Sequence, residues 1–206
     1  MSFEVNEKFE KKIAKFFGSK YAILTDSCTH ALETVLIYLK IKKILVPKNT
    51  YISIAFLAKK LGINLQWSEK KWKDYYYIDE KKKVIDAAVY WKKKGYIKNS
   101  YMCLSFQFQK HINIGRGGII LLDKKKDYYN LKTLCFDGRK RGINWRDQDI
   151  ATYGLHYYMT PEMAQKGLKI FEKKKNMKPK KWTYEDYPDI SRMKVFKKKK
   201  LFNIIN

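Results

Sequence analysis

Cysteine is scarce in this chain, and its placement excludes more than its number does. Cys28, Cys103 and Cys135 stand far apart in the 206 residues. They form neither the paired spacing of a metal site nor the framework of a disulfide-stapled domain. No metal is therefore expected, and a reducing compartment is. Long apolar runs are missing as well. No stretch is long and apolar enough to span a membrane, and the opening "MSFEVNEKFEKK" lacks the apolar core of a signal peptide. The expected location is the cytoplasm. There is no internal repeat. Acidic residues are few, 20 against 45 lysines and arginines, which leaves a formal charge of +25. That excess favours anionic partners: nucleic acid, a membrane surface or phosphorylated small molecules. The lysines fall all along the chain, so a plain solvated surface is the alternative.

What is present describes a folding domain. Hydrophobic residues make up 45% of the chain and aromatics 16%, enough for one core of good size. "VNEKFEKKIAKFFG" places Val5, Phe9, Ile13 and Phe16 at helical spacing before a glycine stop. "KYAILTD" reads as a strand. "SCTHALETVLIYLKI" reads as a helix capped by Asp26 or Ser27. "KKILVP" and "INLQWSE" read as strands around the helix "TYISIAFLAKKLG". "KVIDAAVY", "YMCLSF" and "GGIILLD" are further short apolar runs. "TPEMAQKGLKIFEKKK" carries Thr160 as N-cap, Pro161 at its first position and lysines in its last turn. Strands alternating with helices predict an α/β fold with a largely parallel sheet. Residues 1–172 are expected to form the main domain, and 173–206 a lysine-rich extension.

In an open α/β sheet, ligands bind beyond the carboxyl ends of the strands. The polar residues just after the apolar runs are Asp26, Ser27 and Thr29, then Asn49, Thr50 and Tyr51, then Asp86, then Ser105 and Lys110. That set contains what pyridoxal phosphate needs. The cofactor takes a lysine amine for a Schiff base, and a carboxylate against its pyridinium nitrogen. It also takes hydroxyls and amides at a helix N-terminus for its phosphate, and an aromatic ring over its face. Singly, each signal has an ordinary structural explanation as a cap, an ion-pair partner or a turn. Their joint order is the informative part.

The order "KYAILTDSCTHALE", "VPKNTYIS", "IDAA", "SFQFQKHINIGRGG", "FDGRKR", "GLHYYMTPEMAQKGL" resembles the DegT-type (DegT/DnrJ/StrS) family, from about residue 8 to about residue 172. These are fold type I, pyridoxal-phosphate-dependent aminotransferases, most of which act on nucleotide-linked keto sugars. The resemblance implies the family's large domain, with a mainly parallel sheet and helices on both faces, and a truncated C-terminal small domain. It implies that Lys110 forms the Schiff base and shuttles the proton, and that Asp86 pairs with the pyridine nitrogen. Ser105, Thr29 and the amides around Cys28 would hold the phosphate, and Tyr51 would stack on the ring. His156, in the segment where family members reach into a neighbour's site, implies a homodimer. Arg116, His111 and Arg139 are the candidate contacts to a nucleotide-sugar substrate, with an amino acid such as glutamate as donor.

Departures from the family pattern are specific. Val89 stands where glutamine or histidine usually meets the cofactor's phenolic oxygen. Arg116 replaces an acid, His156 an asparagine and Tyr158 an arginine. The stretch between "YYYIDEKKK" and "KVIDAA" is short. A sister reaction, sugar dehydration, uses histidine in place of the lysine; here the lysine is present and histidine only follows it, at His111. The rival of another class is a catalytically degenerate member that binds nucleic acid or serves as a scaffold or partner subunit. Its support is the charge and the lysine–aromatic tail from "FEKKKNMKPKKW" to "FKKKKLFNIIN".

Overall fold

Alternate residues of the central strands serve two different cores, and this sets the layering. The computed structural model describes residues 2–197. Its strands are β1 (Tyr21–Thr25), β2 (Lys43–Pro47), β3 (Asn64–Ser68), β4 (Tyr76–Asp79), β5 (Val84–Asp86), β6 (Tyr101–Ser105) and β7 (Gly118–Leu122). Its main helices are α1 (Glu4–Phe17), α2 (Cys28–Tyr38), α3 (Ser53–Lys60), α4 (Lys125–Leu134) and α5 (Pro161–Lys174). Ile23, Cys103 and Ile120 face one layer, where they join Leu32 and Val35 of α2 and Leu131 of α4. Leu24, Met102, Ile119 and Leu121 face the other, against Phe9, Ile13 and Phe17 of α1 and Phe171 of α5. A strand buried on both faces reads as a continuous apolar run, which is what "GGIILLD" shows. Each large side chain so buried contributes about 1.5–3 kcal/mol.

The five-stranded sheet has the order β1-β7-β6-β5-β4, and β2 and β3 pair separately in parallel. Strands β1, β5 and β6 run in one direction, while β4 and β7 run in the other. The parallel expectation holds for the β5–β6 pair and for β2–β3, while β1 meets only the antiparallel β7. The two reversals follow from their connections. A parallel return needs a long crossover, usually helical, whereas β4 reaches β5 by a short turn and β6 reaches β7 by a loop without a helix. Helices cover both faces, as expected. None of the described helices is long and apolar enough to cross a membrane.

Local signals place the helices. Gly18 ends α1 in the left-handed region, φ 85°, where its N–H meets the Ala14 carbonyl at 2.8 Å. Ser27 caps α2 by accepting the His30 N–H at 3.1 Å, a bond worth about 1 kcal/mol. Pro161 opens α5 behind Thr160, which holds the N-cap position without a side-chain cap bond. The expected boundary at residue 172 falls inside α5. The chain beyond it returns to the domain instead of trailing away. Thr183 and Asp189 bridge to Lys73 and Asn49, Ile190 is buried, and Phe196 packs on Phe56 and Trp67. The last part of "FKKKKLFNIIN", residues 198–206, lies outside the described residues.

Candidate active site

One cavity of about 190 Å³ lies beyond the carboxyl ends of β1, β2, β5 and β6. Its first wall is the N-terminus of α2. Ser27 engages the His30 amide with its hydroxyl and the Ala31 amide with its carbonyl. The amides of Cys28 and Thr29 are left as the open donors of the first turn, a natural anion site. Gly118, at the start of β7, passes directly behind this turn. A Cβ there would stand 2.4 Å from the Cys28 amide nitrogen and 2.5 Å from the Ser27 carbonyl oxygen. Only glycine permits that approach. The Thr29 hydroxyl shares a 2.8 Å hydrogen bond with the Ser53 hydroxyl of α3. Ser105, at the end of β6, lines the same wall and accepts the Gln107 amide at 3.2 Å.

Asp86 forms the floor. It is 5% exposed at the end of β5. Its Oδ2 accepts the Tyr76 hydroxyl at 2.6 Å and its Oδ1 accepts the Ala88 N–H at 3.0 Å. Burial pushes the Asp86 carboxyl above its ordinary value, while those two hydrogen bonds and the Lys110 charge pull it back. Tyr76 in turn shares a 2.7 Å hydrogen bond with Thr50. Its phenol is driven well above its ordinary range by burial first and by Asp86 next, so it stays a donor.

Lys110 comes from the loop between β6 and β7. That loop is tied across itself: Phe106 N–H to Gly117 O at 2.8 Å, Phe108 N–H to Gly115 O at 3.0 Å, and Lys110 N–H to Gln107 O at 2.8 Å. Gly115 takes φ 101° in this reversal, a conformation that suits glycine. The loop carries the half-buried Lys110 into the cavity. Desolvation lowers the pKa of its amine below that of ordinary lysine, against the opposing pull of Asp86 and Cys28. A buried amine with a lowered pKa is a better nucleophile at neutral pH. Tyr51 lines the mouth and is 56% exposed, which leaves its ring free to cover a ligand.

The cavity thus gathers Cys28, Thr29, Tyr51, Asp86, Ser105, Lys110 and Arg116 of the residues singled out in the sequence. Arg116 stands at the rim and donates to Asp26 at 3.1 Å. Three others lie elsewhere in this chain. His111 turns away from Lys110, packs on Trp91 and meets the Lys174 carbonyl at 2.8 Å. Burial lowers its pKa. Arg139 is held by Asp137 at 2.9 Å. The exposed His156 bonds the same carboxylate at 3.0 Å. Val89 lines the cavity and offers an apolar surface there. The sequence reading did not single out Tyr76, Ser53 or Tyr187. Tyr76 lies in a run of three tyrosines with no pattern to mark one of them, and Tyr187 lies in the lysine-rich tail.

The donor set suits a ligand with an anionic end at α2, a cationic ring nitrogen at Asp86 and a carbonyl carbon within reach of Lys110. The DegT/DnrJ/EryC1/StrS aminotransferase family model matches residues 1–95. No curated protein sequence matches. The fold is similar to that of AtS13 from Actinomadura melliaura, at 19% identity and a TM-score of 0.71, over 84% of this chain and 60% of that one. Spr1654 from Streptococcus pneumoniae, in its PLP form, gives 17%, 0.69, 82% and 59% on the same measures. PseC of Helicobacter pylori, an aminotransferase involved in the biosynthesis of pseudoaminic acid, gives 15%, 0.69, 82% and 57%. The chain spans about 60% of the length of these proteins. The chain thus matches the DegT/DnrJ/EryC1/StrS aminotransferase family model over residues 1–95, and over most of its described length it shares the fold of these solved structures, the fold type I large domain.

Proposed function

We propose that the cavity binds pyridoxal phosphate and that the protein transfers an amino group from an amino acid, glutamate foremost, to a nucleotide-linked keto sugar. The observation that carries this reading is the convergence of Lys110, Asp86 and the open amides of α2 on one cavity. Bound there, the cofactor supplies an electron sink for negative charge at the substrate carbon. The chain's own residues do the rest. Cys28 and Thr29 amides, with the hydroxyls of Thr29 and Ser105, hold the phosphate. Asp86 holds the ring nitrogen in its cationic form. Tyr51 covers the ring. Lys110 offers its amine to the carbonyl carbon, then accepts and returns a proton at Nζ. Arg116 at the rim, within the positive field of the chain, attracts a diphosphate.

His111 and Arg139 have no place in that cavity within one chain, so a role for them at substrate requires a second copy. The same holds for His156. A homodimer in the cytoplasm, with each copy's His156 segment at its neighbour's mouth, is the assembly this reading proposes.

The charge of +25 also supports a second reading, a degenerate member that binds nucleic acid or serves as a scaffold or partner subunit. Yet Trp182, Tyr187 and Phe196 of the tail are packed against the domain, where they cannot stack on bases. Titration of the purified protein with pyridoxal phosphate, followed by borohydride and peptide mapping, tests the first reading. A visible band with the fixed label on Lys110 supports it. Absence of both, with salt-sensitive binding of RNA or DNA, moves the function to the second.

A further inference from the structure

Residues 182–190 form a strap along the cavity wall, and their course is closely set. The Asp74 N–H meets the Trp182 carbonyl at 3.1 Å, and the Tyr184 N–H meets the Trp72 carbonyl at 3.1 Å. Asn49 Nδ2 donates to the Tyr187 carbonyl at 2.9 Å, and the Ile190 N–H to the Lys48 carbonyl at 2.9 Å. Between these ties Thr183 and Asp186 form a capping box. The Tyr187 ring leans on Trp72, with centroids 5.5 Å apart. Its hydroxyl reaches 3.5 Å from Lys110 Nζ, and the Trp182 ring centroid lies 4.6 Å from the same nitrogen.

We propose that the strap is a built part of the site and that Tyr187 is the positioning residue for the Lys110 amine. The inference rests on the reading of Lys110 as the reactive amine. Trp182 presents a π-face, which attracts the ammonium form only. A tyrosine hydroxyl accepts from an ammonium and donates to a neutral amine, so Tyr187 holds Lys110 through both halves of a proton transfer. Burial keeps the Tyr187 phenol itself neutral by raising its pKa, with Asp86 and Asp186 adding to the effect. The charged and titratable groups around the amine are Asp86 on β5, Cys28 on α2, Lys180 just before the strap, and Asp186 and Tyr187 on it, with Tyr51, Tyr76, Asp74 and Arg116 completing the cavity.

The test reads Lys110 in the cofactor-free protein by competitive acetylation across pH with peptide mass spectrometry. Tyr187→Phe keeps the ring that packs on Trp72 and removes only the hydroxyl, and circular dichroism confirms its fold. The hydroxyl's bond to the ammonium is charge-assisted and stronger than its bond to the neutral amine, so losing both should lower the Lys110 midpoint by about 0.4–1 pH unit, the difference between the two. Tyr184→Phe is the control, since its hydroxyl bonds Glu185 instead, and it should leave the midpoint in place. An unchanged midpoint in Tyr187→Phe, or an equal shift in both variants, overturns the proposal. Cofactor fixation on Lys110 is read separately in the wild type. A shifted midpoint without fixation sinks the cofactor reading alone, and fixation without a shifted midpoint sinks the role of Tyr187 alone.

Discussion

Tyr76 donates its hydroxyl to Asp86 at 2.6 Å, and the pair closes the floor of the cavity beneath Lys110. Two residues ten apart in the chain meet because β4 and β5 run antiparallel with Tyr76 opposite Asp86 in register. Replacing Tyr76 by Phe removes the donor and leaves a buried carboxylate with one partner fewer. Chemical denaturation should show a loss of about 1–3 kcal/mol at neutral pH.

Asp86 itself should reveal its burial through pH. Its folded-state pKa is raised, so the folded chain binds more protons than the unfolded chain between the ordinary carboxylate value and the raised one. Stability from this group is therefore complete below that window and declines as pH rises through it, with a slope of at most about 1.4 kcal/mol per pH unit. Asp86→Asn should abolish the slope in the cofactor-free protein while losing affinity for pyridoxal phosphate. A slope that survives in the variant assigns it to another group.

Lys110→Ala should leave the melting curve almost unchanged, because the side chain sits at a cavity wall and not in a core. Borohydride-fixed label should vanish, and transamination should fall by roughly 10⁴-fold or more, as removal of a reacting nucleophile does elsewhere. Full turnover by this variant would remove Lys110 from the mechanism.

Gly118→Ala probes the anion site without touching any side chain in it. The added methyl would collide with the first turn of α2, displacing the Cys28 and Thr29 amides. Calorimetry should record about 1–3 kcal/mol of destabilisation, and equilibrium titration a weaker affinity for inorganic phosphate and pyridoxal phosphate alike. Retention of phosphate affinity would place the anion elsewhere.

Much of this architecture was legible in the residues. Strands β1, β2, β3, β6 and β7 and helices α1, α2, α3 and α5 follow from apolar period and caps. The gathering of Thr29, Asp86, Ser105 and Lys110 follows from their position after apolar runs. Helix α4 gave no such signal, since Leu131 is its one buried residue and its amphipathic stripe is correspondingly thin. Strand β4 was hidden in "YYYID", where alternation is masked by tyrosine on both faces. The strap was the largest omission. A lysine-rich coil carries no period, and Trp182, Tyr187 and Ile190 meet Lys110, Asn49 and Lys48 through contacts between distant parts of the chain, which no local pattern encodes.

The strap also fixes an order of events at birth. Thr29, Asp86 and Lys110 all leave the ribosome before Trp182 and Tyr187, and synthesis proceeds at roughly 5–20 residues per second. Until those two residues emerge, the Lys110 amine lacks both of its strap partners, the Trp182 ring and the Tyr187 hydroxyl.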